Sequence, residues 1–258
     1  MQASTKDTGH DARFSAAEWR QRQHLALAYR MIQRAGFDDL TYNHLSVRIP
    51  DRPEHFLIKR DDEMFEQVSA SSLLSSGFHG DDPGSPAGRV SPGGLVIHGG
   101  ILDARPDVNA VFHTHSPANM AIGAQDCGLL PLSQHALIFH GKLSYHDFHG
   151  FEFEPEMRRL LVRDLAGNDV MILRNHGVLV TGRTVAEAFF RHHYLEMACR
   201  AQVAAMSVGG VEHLVWPEEK VIAHAAAQMA ARGIVGEDGR DWTALMRLAN
   251  DVCPDYAV

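Results

Sequence analysis

The stretch Asn109-Ala-Val-Phe-His-Thr-His-Ser116 decides how the rest of the chain is read. Residues 109–114 have the composition of a buried strand. Side chains alternate along a strand, so Val111, His113 and His115 fall on one face. Two imidazoles two residues apart can therefore converge on one ion. An isolated pair of this kind more often packs or hydrogen-bonds, so a third ligand has to be found. His176 is the candidate: it sits in the turn Asn175-His176-Gly177 between two predicted strands, 170–173 and 178–180. Gly177 lets the backbone bend and keeps the imidazole at the sheet edge. Three neutral imidazoles leave a +2 charge uncompensated. Zinc held this way keeps an open position, able to polarise a carbonyl or lower the pKa of bound water to about 7.

Composition narrows the classes. The chain has 258 residues, 24 Lys+Arg against 32 Asp+Glu for a net charge of −8, and 45% hydrophobic residues. That balance argues against a nucleic-acid footprint and for a chain with a real core. No apolar run approaches a membrane span of about 18–20 residues, and no secretory leader is visible. Cys127, Cys199 and Cys253 form no close pair, which fits a reducing cytoplasm. Histidine stands out at 17 residues, so position must separate ligands from packed or surface rings.

Outward from the central stretch, residues 1–13 read as a disordered lead. Ser15 with Glu18, and Thr184 with Glu187, have capping-box spacing at the start of two long helices. Leu45, Val47 and Ile49 alternate as a strand, followed by a second at 56–58. Residues 76–94 read as a Gly/Pro loop, 95–104 and 119–124 as short helices, and 137–139 and 142–145 as short strands. Residues 155–166 form a helix stopped by Gly167. Pro217 opens another helix closed by Gly233, and 242–248 forms a last one. Strands and helices interleave as in one α/β domain with helices over a central sheet, spanning 14–210, with a helical extension at 211–258.

Three segments carry a resemblance. Gly36-Phe-Asp-Asp-Leu-Thr-Tyr-Asn-His-Leu-Ser-Val-Arg48, Arg105-Pro-Asp-Val-Asn-Ala-Val-Phe-His-Thr-His-Ser116 and Ile172-Leu-Arg-Asn-His-Gly-Val-Leu-Val180 resemble class II aldolase/adducin domains. Gly128-Leu-Leu-Pro-Leu-Ser-Gln134, Tyr145-His-Asp-Phe-His-Gly150 and the tail around Trp242 are similar to the adducin-like branch. The resemblance implies a three-layer α/β/α sandwich with a mostly antiparallel central sheet, often a homotetramer. It implies a divalent metal on His113, His115 and His176, zinc in the aldolases, with iron or manganese as alternatives. The family's acidic acid/base residue stands four positions before the histidine matching His98; here that position is Gly94. Pro92-Gly93 replaces the preceding Ser-Ser, and Lys59-Arg60-Asp61-Asp62 replaces the phosphate loop.

Further candidates follow, each with a plainer alternative. Asn43 matches the family's substrate-facing asparagine, or caps a turn. His98 neighbours the metal segment, as a site residue or as packing. His135 could reach the cleft as a substrate contact, and Tyr145 could donate a proton or bind an oxyanion. His192 reads as a core histidine, and Lys59-Arg60 as a solvated pair. The resulting expectation is a cytoplasmic metal-dependent lyase, catalysing aldol cleavage or decarboxylation of a small hydroxy- or keto-carboxylate, without nucleic-acid or membrane partners. Two alternatives stay open: an oxygen-dependent non-haem enzyme on an aromatic keto acid, and a non-catalytic adducin-like module.

Overall fold

A computed structural model describes residues 11–80, 89–232 and 236–258. Seven strands form one sheet: β1 (His44–Ile49), β2 (Arg52–Ile58), β3 (Leu74–Gly77), β4 (Ala110–Thr114), β5 (Leu143–His146), β6 (Val170–Leu173) and β7 (Gly177–Gly182), in the order β3-β2-β1-β4-β7-β6-β5. Every neighbouring pair is antiparallel except β5 with β6, which is parallel. The mostly antiparallel sandwich expected from the three motifs is what forms.

Alternation along the strands builds two cores. Leu45, Val47, Ala110, Phe112, Ile172 and Val180 face one side. There they meet α1 (Ala16–Arg34) and α7 (Val185–Met206). Phe56, Ile58, Val111, Met171 and Leu179 face the other. They meet a composite helical segment and α6 (Met157–Leu165). Burying a side chain such as Phe112 stabilises by about 1.5–3 kcal/mol relative to leaving it in water. The composite segment runs through α2 (Pro92–Gly94), a π-helical turn (Leu95–Gly99) and α3 (Gly100–Ala104). Gly99 is required inside it, because a Cβ there would lie 2.3 Å from the Phe78 carbonyl oxygen.

The helix signals are realised by side-chain caps. Ser15 Oγ accepts from Glu18 N at 3.0 Å and Thr184 Oγ1 accepts from Glu187 N at 3.1 Å. The remaining helices are α4 (Pro117–Gly123), α5 (Gln134–Leu137), α8 (Glu219–Arg232) and α9 (Arg240–Val252). Trp242 of α9 is fully buried, edge-on to His24 of α1 at 5.6 Å and to Phe189 of α7 at 5.8 Å. The last residues also dock, with Ala70 N and Ser71 N donating to the carbonyls of Tyr256 and Val258.

Several local expectations change. The spacing predicts a strand over 137–139, but Ser133 Oγ accepts from Ala136 N at 3.2 Å and caps helix α5, which ends at Leu137 and is followed by a turn. A short apolar run does not distinguish the two without its cap. Within the expected loop 76–94, β3 reaches Gly77 and helix begins at Pro92, while 81–88 lie outside the described residues. The residue that ends α6 with positive φ is Ala166 (49°), not Gly167. Helix α8 begins at Glu219, and its expected stop, Gly233, lies outside the described residues, as do 1–10 of the expected lead.

Candidate metal centre

β4 and β7 pair with Thr114 opposite Val178 and His113 opposite Leu179, so the end of β4 lies beside the turn that enters β7. The pairing brings three imidazoles together. His115 Nε2 lies 2.8 Å from His113 Nε2 and 3.1 Å from His176 Nε2. Their ligand atoms all fall within 4.8 Å of one another, the one such group among the described residues.

Gly177 serves this geometry differently from the expectation. Asn175 carries the turn's positive φ, at 55°. Gly177 is needed because a Cβ there would lie 2.4 Å from the Thr114 carbonyl oxygen and 2.8 Å from His115 Cδ2. The absent side chain admits β4 and the His115 ring.

Two of the rings set their other nitrogen against a hydrogen-bond acceptor, while that of His176 lies within ion-pair distance of a carboxylate without hydrogen-bond geometry. His113 Nδ1 is 3.0 Å from the Val178 carbonyl oxygen. His115 Nδ1 is 3.2 Å from Asp39 Oδ2, and His176 Nδ1 is 3.2 Å from Glu152 Oε1. Acceptors at Nδ1 of His113 and His115 place the proton there and leave their Nε2 lone pairs directed at one another, with His176 Nε2 beside them. Lone pairs that close repel unless a cation lies between them. Nitrogens about 2.0–2.1 Å from a tetrahedral zinc stand about 3.3 Å apart, within half an ångström of the observed spacings. The donor set therefore fits a divalent ion. Burial, then the neighbouring imidazoles, holds His113 well below its usual pKa, and burial followed by His176 lowers His115. Both favour the neutral, ligating form.

The other candidates are placed as follows. Asn43 is fully buried: its Nδ2 donates to the Phe37 carbonyl at 2.9 Å and its Oδ1 accepts from His115 N at 3.0 Å. Its amide fixes the backbone of a candidate ligand, and the next residue, His44, turns its side chain to the cluster, with ring centroids 5.2 Å from His113. His98 stands behind His44, Nε2 to Nδ1 at 2.8 Å. Tyr145 is in register with Ile172, which pairs Val178, which pairs Thr114. It therefore shares Thr114's face, opposite to His113. Its hydroxyl accepts from Leu129 N at 3.0 Å, and Arg174 lies over its ring. His135, on α5, stacks on Tyr194 of α7 at 5.4 Å, also away from His113. His192 is a satisfied core ring, 2.7 Å from Thr114 Oγ1. Lys59 is not solvated: it is buried, and its Nζ donates to the carbonyls of Thr41 and Arg60.

Gly94 leaves little room for the family's acid. A Cβ there would lie 2.8 Å from Ser91 Oγ, 3.0 Å from Ile58 Cδ1 and 3.7 Å from His44 Cδ2. The reading of the residues had not singled out Asp39, Glu152 or His44. Glu152 lies on a loop with no periodic signal, whereas Asp39 and His44 both stand in the quoted motif 36–48.

The Class II Aldolase and Adducin N-terminal domain profile matches residues 23–203. A Caulobacter vibrioides protein provisionally designated aldolase class 2 is 37% identical over 250 residues, covering 94% of each chain. Rat alpha-adducin is 40% identical over 195 residues, 74% of this chain but only 26% of alpha-adducin. The crystal structure of an aldolase II superfamily protein from Pseudomonas syringae superposes with a TM-score of 0.91 at 40% identity, over 95% of this chain and 98% of that one. L-fuculose 1-phosphate aldolase from Glaciozyma antarctica shares the fold, with a TM-score of 0.78 at 22% identity, over 96% and 97% of the two chains. With the motifs, the sheet order and the long, high-identity matches in agreement, this chain belongs to the class II aldolase and adducin family.

Proposed function

We propose that this chain is a metal-dependent lyase acting on a small hydroxy- or keto-carboxylate, with the ion held by His113, His115 and His176. The observation that carries the proposal is the convergence of three Nε2 atoms, each ring backed at Nδ1 by Val178 O, Asp39 or Glu152. A bound divalent cation supplies Lewis-acid polarisation of the substrate's adjacent oxygens. An all-imidazole set suits zinc first, with iron or manganese as alternatives.

The protein's own groups decide which bond breaks. Aldol cleavage needs a base for the hydroxyl proton, and losing a positioned base removes roughly 10²–10⁴ in rate. Gly94 supplies none. Decarboxylation of a keto acid releases CO₂ without such a base, so it is the favoured reaction of the two. The assembly proposed is a homotetramer in the cytoplasm. No described helix is long and apolar enough to cross a membrane.

Gly94 also favours a second reading, an adducin-like interaction module without turnover. Phe148, 6.3 Å from His176, and the exposed Phe151 beside it favour the third, an oxygen-dependent enzyme on an aromatic keto acid. The test is product analysis of metal-loaded protein with a panel of keto and hydroxy acids, anaerobically and in air. The lyase reading expects CO₂ or aldehyde release without oxygen, abolished by His113→Ala. Turnover only in air supports the oxygenase, and none in either condition supports the module.

A further inference from the structure

His44 opens β1 in register with His113, with its ring tilted 34° to that of the candidate ligand. A buried polar chain runs behind it. His44 Nδ1 lies 2.8 Å from His98 Nε2, and His98 Nδ1 lies 2.5 Å from Ser46 Oγ. His98 and Ser46 are fully buried, whereas His44 keeps 7% exposure. Its other nitrogen, Nε2, has no hydrogen-bond partner among the described residues, and a Cβ on Gly93 would stand 3.8 Å from it, 3.9 Å from the Glu152 carbonyl oxygen and 4.0 Å from the Phe153 ring.

The chain has two proton arrangements with the same number of protons. In one, Ser46 Oγ donates to His98 Nδ1, His98 Nε2 donates to His44 Nδ1, and His44 Nε2–H points forward. In the other, Ser46 donates to the Val111 carbonyl, 3.5 Å away, and His44 Nε2 becomes an acceptor. Neither arrangement charges a ring. The structure thus holds an imidazole wired to His98 and Ser46 beside the place where Gly93 and Gly94 carry no side chain.

We propose that His44 Nε2–H, held by His98 and Ser46, is the donor that binds a carboxylate oxygen of the substrate next to the metal. This rests on the proposed metal site and deepens it. A neutral donor beside Gly94 does not repel an anion, as an acid at that position would. Of the charged groups nearby, Lys59 is a cation close enough to act on His44. The carboxylates of Asp39 and Glu152 lie at the Nδ1 side of their rings, away from the shared Nε2 cluster.

The experiment uses full-length protein loaded with cobalt(II), whose visible bands report ligands entering the metal's surroundings. Glycolate is titrated against acetohydroxamate, which chelates metals but lacks a carboxylate. Wild type is expected to bind both. His44→Leu is expected to keep cobalt and acetohydroxamate but to weaken glycolate roughly tenfold or more, the worth of a hydrogen bond to a charged group. His44→Gln, whose amide reaches toward the Nε2 position, is expected to regain part of that loss. His98→Leu, which removes a positioning residue, is expected to weaken glycolate selectively but less. Glycolate binding by His44→Leu within twofold of wild type, or equal loss of both probes, overturns the proposal. If His44→Leu does not fold, wild-type glycolate affinity in both His44→Gln and His98→Leu overturns it. Wild type that takes up cobalt but ignores glycolate overturns this inference alone; failure to take up cobalt overturns the metal site as well.

Discussion

His113 and His115 bring their Nε2 atoms to 2.8 Å of each other at the end of β4, although both nitrogens present lone pairs. A third imidazole nitrogen lies 3.1 Å from His115, and a cation held between the three would relieve the repulsion of their lone pairs. The acceptors behind the rings are then part of the site.

Asp39 stands against His115 Nδ1 in hydrogen-bond geometry, and the Glu152 carboxylate lies 3.2 Å from His176 Nδ1, placed to orient it. Loss of such an orienting partner typically lowers metal affinity 10–100-fold. Asp39→Ala and Glu152→Ala are each expected to fall in that range by competition with a chelator. Glu152→Ala is expected to be the larger, because Glu152 is buried while Asp39 is only half-buried. Wild-type affinity in both variants would show that neither carboxylate orients a ligand.

Gly177→Ala drives a methyl into the Thr114 carbonyl and the His115 ring. Overpacking of this kind costs about 1–3 kcal/mol. Urea unfolding is expected to show a loss of that size, and metal binding to weaken with it. A variant as stable as wild type that keeps its metal would mean that β4 and β7 are not so closely apposed.

Glu196 tests the opposite face of the sheet. It is fully buried on α7, with Ser116 Oγ donating to it at 2.5 Å and Asn119 Nδ2 at 2.6 Å. Burial raises its pKa, with these two donors opposing. A carboxyl whose folded pKa is raised binds its proton more tightly in the fold. Its contribution is therefore fully present below the unfolded pKa and is lost as pH rises through the folded value. Relative to wild type, Glu196→Gln is expected to gain stability as pH rises from the unfolded pKa through the raised one. Urea melts between pH 4 and 8 measure the difference, and a gap that closes as pH rises contradicts it.

Tyr145→Phe removes a hydroxyl that accepts from Leu129 N on the face away from His113. The expected cost is about 0.5–1.5 kcal/mol of stability, the net worth of one hydrogen bond. Metal affinity and turnover per folded molecule are expected to stay within twofold of wild type. A large loss of kcat with unchanged stability would restore the catalytic role considered from sequence.

What could be read without coordinates follows from period and motif. Strand β4 announces itself by the composition of a buried strand, and His113 and His115 share a side because they are two residues apart. The helix beginning after Thr184 carries its own cap. Other features depend on distant partners. β3 is Leu-Ser-Ser-Gly, with little strand character, and becomes a strand by pairing with β2. The face of Tyr145 is settled only by register through β6 and β7 to β4. Asn43 and His44 are adjacent, yet one amide is used up inside the fold while the next ring faces the cluster. Asp39 and Glu152 arrive on loops whose path the local sequence does not encode.

The most direct measurement is the metal content of tag-free protein purified without chelator, by elemental analysis, alongside His115→Ala and His176→Ala. The account predicts close to one divalent ion per wild-type chain and a small fraction of that in each folded variant. Metal-free wild type that takes up no zinc, iron or manganese on dialysis, or variants that retain the full complement, would contradict it.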